Sequence, residues 1–141
     1  MKLNVGCGRQ KFSGFINLDV ARSVQPDIVA DACHLPFKHG VFTKVVSRRC
    51  IQHVNDTLAI SEIYRVLVDR GKLVLIVASV IGWIYYKLRL SSSYGNYSIF
   101  HLYTKRRLLR LLRAFNNISI YKVRGRLFSF DYLVLAEKER N

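Results

Sequence analysis

The residues best suited to chemistry lie near the start of the chain. Gly6 and Gly8 form a Gly-x-Gly turn directly after an apolar segment, and Asp19 lies at the end of the next apolar segment. Glycine has no Cβ, so such a turn can bring backbone N–H groups against a ligand. A carboxylate at the tip of the neighbouring strand can accept hydrogen bonds from two ribose hydroxyls. The combination predicts a site for a nucleoside-containing cofactor, whereas the turn taken alone is better explained as an ordinary tight turn, because short glycine motifs match by chance.

A third candidate, Asp31, follows the apolar segment 27–30. Its carboxylate could accept a hydrogen bond from an adenine amino group while the N–H of Ala32 donates to the ring. Aspartate is also a common turn residue. Because ligands of open α/β sheets bind at the carboxyl ends of the strands, suitable groups at three successive strand ends favour a binding site.

Short apolar strands must position these residues. Five of them lack alternation, as in a parallel sheet covered on both faces, and they span residues 2–5, 15–20, 27–30, 43–47 and 72–78. Two further strands, 118–123 and 132–137, flank a turn signal at Gly125 and predict an antiparallel hairpin.

Two helices are predicted between the later strands. One spans 55–67, capped by Asn55 or Asp56 and stopped by Gly71. The other spans 104–115, capped by Thr104 and followed by a stop at Asn116 and Asn117. The predicted fold class is therefore α/β: a single domain over 1–141 with a Rossmann-like, open, mostly parallel sheet and a C-terminal antiparallel hairpin strand.

The first two crossovers are unusually short. Ten residues separate Gly8 from Asp19, and seven separate Asp19 from Asp27. A parallel crossover that includes a helix normally takes at least ~10–12 residues. We therefore expect reduced helices between the first three strands and a thinly covered sheet face. A second copy of the chain or another protein is expected to cover that face.

Charge is the unusual bulk property. The chain has 23 basic and 9 acidic residues, a net charge of +14, and residues 80–141 hold 12 of the basic and 3 of the acidic ones. Such a field predicts an anionic partner, either RNA or a membrane surface. The aromatic-rich segment 80–103 is long for a connection and is predicted to cap a substrate.

Other features restrict the class of protein. Half of the residues are hydrophobic, which argues against a disordered chain. The longest apolar run, 73–86, is shorter than the ~20 residues of a membrane span. Cys7, Cys33 and Cys50 lack paired spacing and indicate free thiols in a reducing cytoplasm, with no metal site and no signal peptide.

The order and spacing of several motifs resemble those of a known family. They are Asn4-Val5-Gly6-Cys7-Gly8, Gly14-Phe15-Ile16-Asn17-Leu18-Asp19, Asp31-Ala32-x-x-Leu35-Pro36-Phe37 and Glu62-Ile63-x-Arg65-Val66-Leu67. Together they are similar to class I S-adenosylmethionine-dependent methyltransferases with a small, type-11-like domain. The resemblance covers residues 3–79 well and residues 104–137 loosely.

The resemblance implies S-adenosyl-L-methionine as the cofactor. In such enzymes the glycine turn passes the methionine end, the first acid holds the ribose and the second acid lies at the adenine. The implied cofactor-binding residues are Asn4, Gly6, Cys7, Gly8, Asp19, Val20, Asp31, Ala32 and Ser47. The predicted substrate residues are Arg48, Arg49, Tyr94 and His101, and His53 is the candidate general base, with a structural role as its alternative.

Two functions remain open. One is a methyltransferase whose acceptor is RNA, a lipid or a small molecule. The alternative is a non-catalytic protein on a reduced methyltransferase fold that binds nucleic acid or a partner. The carboxylates at the strand ends favour the first function, because a pure binding module does not need them.

Overall fold

The chain builds one mixed seven-stranded sheet. A computed structural model describes residues 1–80, 101–124 and 130–140. The strands are β1 (Lys2–Val5), β2 (Ile16–Asp19), β3 (Ile28–Val29), β4 (Phe42–Arg48), β5 (Leu67–Ala78), β6 (Phe115–Arg124) and β7 (Phe130–Lys138). Their order is β3-β2-β1-β4-β5-β7-β6, with β1 to β5 parallel and β7 antiparallel to both neighbours. The predicted Rossmann-like fold class is confirmed.

Both predicted helices form and begin where their caps predict. Helix α1 spans Asp56–Val66, and the Asn55 side chain accepts a hydrogen bond from the N–H of Leu58 at 3.1 Å. Helix α2 spans Lys105–Leu111, and the Thr104 hydroxyl oxygen accepts from the N–H of Arg107 at 3.2 Å. Each cap satisfies one of the N–H groups that a helix start leaves without a partner. Within the described ranges, no helix is long and apolar enough to cross a membrane.

Two predicted helix ends are wrong. Helix α1 ends at Val66 and β5 starts at the next residue, because Leu67 already pairs with Phe42 of β4. Gly71 therefore lies inside β5 rather than at a helix stop. A Cβ at Gly71 would lie 2.7 Å from the carbonyl oxygen of Val68, so a larger residue would not fit there without a shift.

The predicted stop at Asn116 and Asn117 is the second error. Helix α2 ends at Leu111, and both asparagines lie in β6. The register between β6 and β7 shifts between Asn116 and Ser119, and Asn117 has a φ of 51°. The asparagines thus mark a β-bulge, a site where a left-handed residue interrupts the ladder.

The first two crossovers are as short as the sequence predicts. A loop over residues 6–15 connects β1 to β2, and only the short 3-10 helix Arg22–Val24 lies between β2 and β3. Buried Asn17 holds the first loop in place. Its side-chain oxygen accepts from the Asn4 amide at 3.0 Å and from the N–H of Phe12 at 2.9 Å. Its amide nitrogen donates to the Asp27 carboxylate at 2.9 Å, and its backbone N–H donates to the same oxygen at 2.7 Å.

The hydrophobic core lies on one side of the sheet. Alternate side chains of the central strands point into it, together with the apolar side chains of α1 and α2. Its fully buried members include Leu3, Val5, Phe42, Val45, Ile63, Val66, Leu73, Leu75, Val77, Leu108, Leu112 and Val134. Both helices of the described residues therefore pack on the same face, which we call the covered face.

The other face, which we call the open face, presents the alternate residues of the same strands. Lys44, Val46 and Arg48 of β4 lie there beside Val74 and Ile76 of β5. From the described residues, the loop over 6–15 is what reaches it, through Phe12 and Phe15. In the described residues, this face is thinly covered, as the short crossovers predict.

The Asn17–Asp27 contact predicts a pH dependence of stability. The two N–H donors of Asn17 hold the pKa of the Asp27 carboxyl below its usual range. This contact therefore stabilises the fold above the unfolded-state pKa of about 4 and is lost as the pH falls through the folded-state pKa. Thermal melting between about pH 5 and pH 3 should show a smaller loss of Tm for Asp27→Asn than for the wild type. Asp69→Asn, at an exposed aspartate of β5, is the control; an Asp27→Asn profile that parallels the wild type would contradict the assignment.

Candidate functional site

The topology forms a crevice at the carboxyl ends of β1 and β4. Strand β1 is followed on one side by β2 and β3 and on the other by β4 and β5, so the strand order reverses there. Open parallel sheets bind ligands at such a reversal, because the loops leaving adjacent strands separate to opposite sides. Gly6 and Gly8 follow β1, Asp19 ends β2, Asp31 lies two residues after β3, and Ser47 lies at the end of β4.

The glycine turn and Asp19 form one hydrogen-bonded unit. The N–H of Gly8 donates to Oδ2 of Asp19 at 2.8 Å, and the N–H of Ala21 donates to Oδ1 at 2.9 Å. The N–H of Cys7 donates to the carbonyl of Leu18 at 3.0 Å. Each carboxylate oxygen keeps a second lone pair, so the ordered Asp19 side chain can still accept from two hydroxyl groups.

Gly6 is required by both its conformation and its surroundings. Its φ is 66°, in the left-handed region, and a Cβ there would lie 2.3 Å from Cβ and 2.4 Å from Sγ of Cys50. Cys50 thus packs directly behind the turn. Burial, with a smaller contribution from the charge of Asp19, raises the pKa of the Cys50 thiol to about 12. The thiol therefore packs as a small neutral group and is not a nucleophile near pH 7.

Asp31 is ordered but accessible. Its Oδ1 accepts from the N–H of Cys33 at 2.9 Å, and its Oδ2 lies 3.3 Å from Nδ1 of His34. The Cys33 bond first, and then His34, hold the pKa of the Asp31 carboxyl below its usual range despite partial burial. Ala32 is buried beside it, and Val20, at the tip of β2, is 71% exposed. These residues leave an anionic edge and an apolar edge at the end of the crevice.

Two predicted cofactor residues point their side chains into the protein. Asn4 is 2% exposed, and its amide nitrogen donates to the carbonyl of Gln10 and to Asn17. Ser47 is fully buried at the end of β4. Asn4 therefore helps to hold the loop that contains the glycines. Direct contact of either side chain with a cofactor stays a prediction.

Of the predicted substrate residues, Arg48, Arg49 and His101 are described, and they lie in different surroundings. Arg48 lies on the open face. The next residue, Arg49, has a φ of 52°, and its Nε donates to the buried carboxylate of Asp131 in β7 at 3.1 Å. His101 lies near the covered face, where its N–H donates to the carbonyl of Gln52 at 3.2 Å. Tyr94 and most of the segment 80–103 lie outside the described residues.

Sequence reasoning missed a polar cluster around Asp56. This buried carboxylate accepts from the Tyr103 hydroxyl at 3.1 Å and from Nη2 of Arg107 at 2.8 Å. Nη2 of Arg107 also lies 3.0 Å from Nδ1 of His101, whose Nε2 is 4.0 Å from Asp56. Burial, with a smaller contribution from Asp56, raises the pKa of the Tyr103 hydroxyl. The sequence shows Asp56 only as a possible helix cap, so its spatial partners give no local signal.

The cluster orients the imidazole ring of His101. An arginine nitrogen can only donate, so the contact with Arg107 requires an unprotonated Nδ1 and places the ring proton on Nε2, towards Asp56. His101 is therefore oriented by its neighbours. His53, in the short 3-10 helix Ile51–His53 after β4, is half-buried, and its role as a base stays a prediction.

Gly6 gives a test of how the crevice floor is packed. Gly6→Ala combines left-handed strain with the contact against Cys50 and should destabilise the fold by about 2–5 kcal/mol. Gly14→Ala is the matched control, because Gly14 has a φ of 75° but open space around a Cβ; it should lose only about 1–3 kcal/mol. Urea unfolding measures both, and Cys50→Gly should recover part of the Gly6→Ala loss. Equal losses for the two glycine variants would contradict the packing.

Comparison with known proteins agrees with this architecture. Residues 13–75 match the family described as methyltransferase domain. An uncharacterized protein of Methanocaldococcus jannaschii is 32% identical over a region that covers 55% of this chain and 40% of that protein. The chain thus spans less than half the length of this curated relative.

Solved structures share the fold at low sequence identity. An S-adenosylmethionine-dependent methyltransferase of Methanosarcina mazei superposes with a TM-score of 0.75 at 18% identity, covering 99% of this chain and 92% of that chain. Phosphoethanolamine N-methyltransferase 2 of Haemonchus contortus, in complex with S-adenosyl-L-methionine, gives a TM-score of 0.72 at 16% identity, covering 99% and 48%. The chain thus shares the fold of these solved structures, and its residues 13–75 are similar in sequence to the methyltransferase domain.

Proposed function

We propose that this chain binds S-adenosyl-L-methionine in the crevice and transfers its methyl group to an anionic acceptor, with RNA as the first candidate. The observation that carries the proposal is the Asp19 carboxylate. It is held by the N–H of Gly8 at 2.8 Å, at the tip of the strand next to the glycine turn. A carboxylate fixed at this point is well placed to accept hydrogen bonds from the two ribose hydroxyls of a nucleoside. The turn itself does not need a charged acceptor there.

The residues present fit the cofactor. A Cβ at Gly8 would meet nothing within 4 Å, so there is open space in front of the turn. Asp19 would hold the ribose, while Asp31 and the N–H of Ala32 would hold the adenine ring between them. Val20, exposed at the tip of β2, would supply apolar contact. These assignments rest on the position of each group along the edge of the sheet.

The chain's own residues would chiefly align the reactants. The cofactor supplies an electrophilic methyl group, and alignment of donor and acceptor accounts for much of the catalysis of such a transfer. An acceptor that carries a proton also needs a base, and His53 is the proposed one. The lone pair of His101 is directed at Arg107, so we assign His101 a positioning role on the acceptor side.

Charge supports RNA as the acceptor. The exposed side of α2 and the residues after it carry Lys105, Arg106, Arg110 and Arg113, and the whole chain has a net charge of +14. Basic surfaces of this kind neutralise phosphates and do not depend on base sequence. A lipid acceptor would use the same charge, whereas a small-molecule acceptor would leave it unexplained. Free thiols at all three cysteines are in keeping with a cytoplasmic location.

The short first crossovers favour a second candidate function. Loss of the helices between β1 and β3 suits a reduced fold that binds nucleic acid or a partner without turnover. Such a protein would not need an ordered carboxylate at the tip of β2. Binding of the cofactor therefore separates the two functions.

Asp19 tests the cofactor site. Two hydrogen bonds to a charged acceptor contribute about 3 kcal/mol, so Asp19→Ala should weaken binding of S-adenosyl-L-methionine by about 100-fold in calorimetric titration. Asp19→Asn keeps one acceptor for the loop and should be weakened as well, while Asp69→Ala should bind like the wild type. Circular dichroism melting checks that the variants fold. A folded wild type that does not bind the cofactor would exclude the methyltransferase function and leave the second candidate.

The basic surface makes a separate prediction. Binding of single-stranded RNA should weaken steeply with salt, with a log–log slope of about −0.7 per neutralised phosphate. Arg106→Glu combined with Arg110→Glu should reduce that slope by about 1–2 units in fluorescence anisotropy. Arg22→Glu combined with Arg140→Glu changes the net charge equally at exposed arginines outside α2 and should have a smaller effect. Equal effects of the two pairs would show that α2 is not the RNA surface.

A further inference from the structure

The open face of the sheet carries an ordered apolar surface. Residues paired across neighbouring strands share a face, so the register of the ladders gives its rows. One row runs through Val46, Val74 and Leu135, and the next through Ile76, Leu133 and Tyr121. Leu135 is 38% exposed and Tyr121 is 52% exposed.

The surface is concave at one end. Phe12 and Phe15 of the loop over 6–15 stand beside Val46, Val74 and Ile76, and together these residues line a shallow, open groove of about 480 Å³. The two rings contact each other edge to face, with centroids 5.6 Å apart. The groove is open along the sheet, so it suits an elongated apolar object better than a small molecule.

Basic side chains border the apolar rows. Lys2, Lys44 and Lys72 are direct neighbours in adjacent strands and form one edge, and Arg48 lies in the row on the other side of Val46. Glu137 pairs with Lys72 and is the acidic residue of that edge, while Asp131 is buried against Arg49. The border of the apolar rows therefore carries a net positive charge.

We propose that the open face docks an amphipathic helix of a partner protein, with aliphatic side chains on its contact face and glutamates or aspartates on its flanks. Parallel sheets are normally covered by helices on both faces, and among the described residues this sheet has helices on one. A helix supplied by another protein would complete the second layer. Acidic flanks would meet Lys2, Lys44 and Lys72 on one side and Arg48 on the other.

Two other occupants fit less well. In a face-to-face pair of identical chains, two faces with positively charged borders would meet, and like charges at an interface oppose association. RNA bases would need aromatic stacking platforms, but the centre of the face is aliphatic, and the Lys2 ammonium lies 5.6 Å from the centroid of the Phe15 ring. The combination of aliphatic rows and a basic border favours an acidic helix.

Docking would also reach the cofactor crevice. The loop that carries Phe12 and Phe15 is the loop that contains Gly8, and Asn17 anchors it through the N–H of Phe12. A helix packed on Phe12 and Phe15 would hold this loop from outside. The test measures peptide binding, so it does not depend on methyl transfer.

The test uses the full chain and two synthetic peptides. One is a 20-residue amphipathic helix with leucines on one face and glutamates on the flanks; the other has every glutamate replaced by lysine. Fluorescence anisotropy should show the acidic peptide binding at least about tenfold more tightly than the basic one. Leu135→Glu and Tyr121→Glu should each weaken acidic-peptide binding by about tenfold. Leu58→Glu and Leu109→Glu change leucines on α1 and α2 that are 48% and 43% exposed and should leave binding unchanged.

Methyl NMR with the acidic peptide should shift the resonances of Val46, Val74 and Ile76. Several results would overturn the proposal: neither peptide binds, the basic peptide binds equally well, or Leu135→Glu binds like the wild type. Two more would assign the face to another occupant. A dimer in sedimentation that Leu135→Glu dissociates would identify a second copy, and vesicles of anionic lipid whose binding Leu135→Glu abolishes would identify a membrane surface.

Discussion

A single buried side-chain amide orders the region on which the crevice depends. Asn17 joins β1, the loop over 6–15 and the start of β3 through hydrogen bonds to Asn4, Phe12 and Asp27. A parallel crossover of this length cannot hold a helix, so its backbone groups need other partners. The Asn17 side chain supplies such partners to backbone groups of Phe12 and Phe15. A buried polar group whose hydrogen bonds are all made favours a single conformation. Gly8 belongs to the same loop, and its N–H donates to the Asp19 carboxylate.

The short crossovers also explain why the described helices cover only one face of the sheet. A helix in each of the first two crossovers would have packed on the open face, whereas α1 and α2 both pack on the covered face. The apolar side chains of β4 and β5 are accordingly unequal: Val45, Leu73 and Leu75 are almost inaccessible, while Val74 and Ile76 are half-buried. The covered face provides most of the burial that stabilises the fold. The half-buried apolar side chains of the open face are instead available for contact with a partner.

Local signals in the sequence were sufficient for the strands, both helices and their caps, because periodicity and capping act within a few residues. These local signals fail where a residue distant in the sequence determines the local structure. Gly71 has the local signal of a helix stop, but Leu67 pairs with Phe42 and β5 therefore begins four residues before Gly71. Asn116 and Asn117 looked like another stop, but pairing with β7 makes them a bulge. Asp56 looked like a cap, yet Tyr103 and Arg107, about 50 positions away, use its carboxylate. The strand-end glycines and acids were predictable because the turn, the acid and the strand are consecutive.

The β1–β4 ladder connects residues that are far apart in the chain, with Lys2 beside Lys44 and Val5 beside Ser47. Long-range parallel pairing of this kind forms late and slowly during folding, since a long loop must close before any contact rewards it. The crevice lies on this seam, so it exists only in the fully folded chain. Any ligand of the crevice is consequently bound by the native state alone, and its free concentration sets part of the chain's resistance to heat and proteolysis.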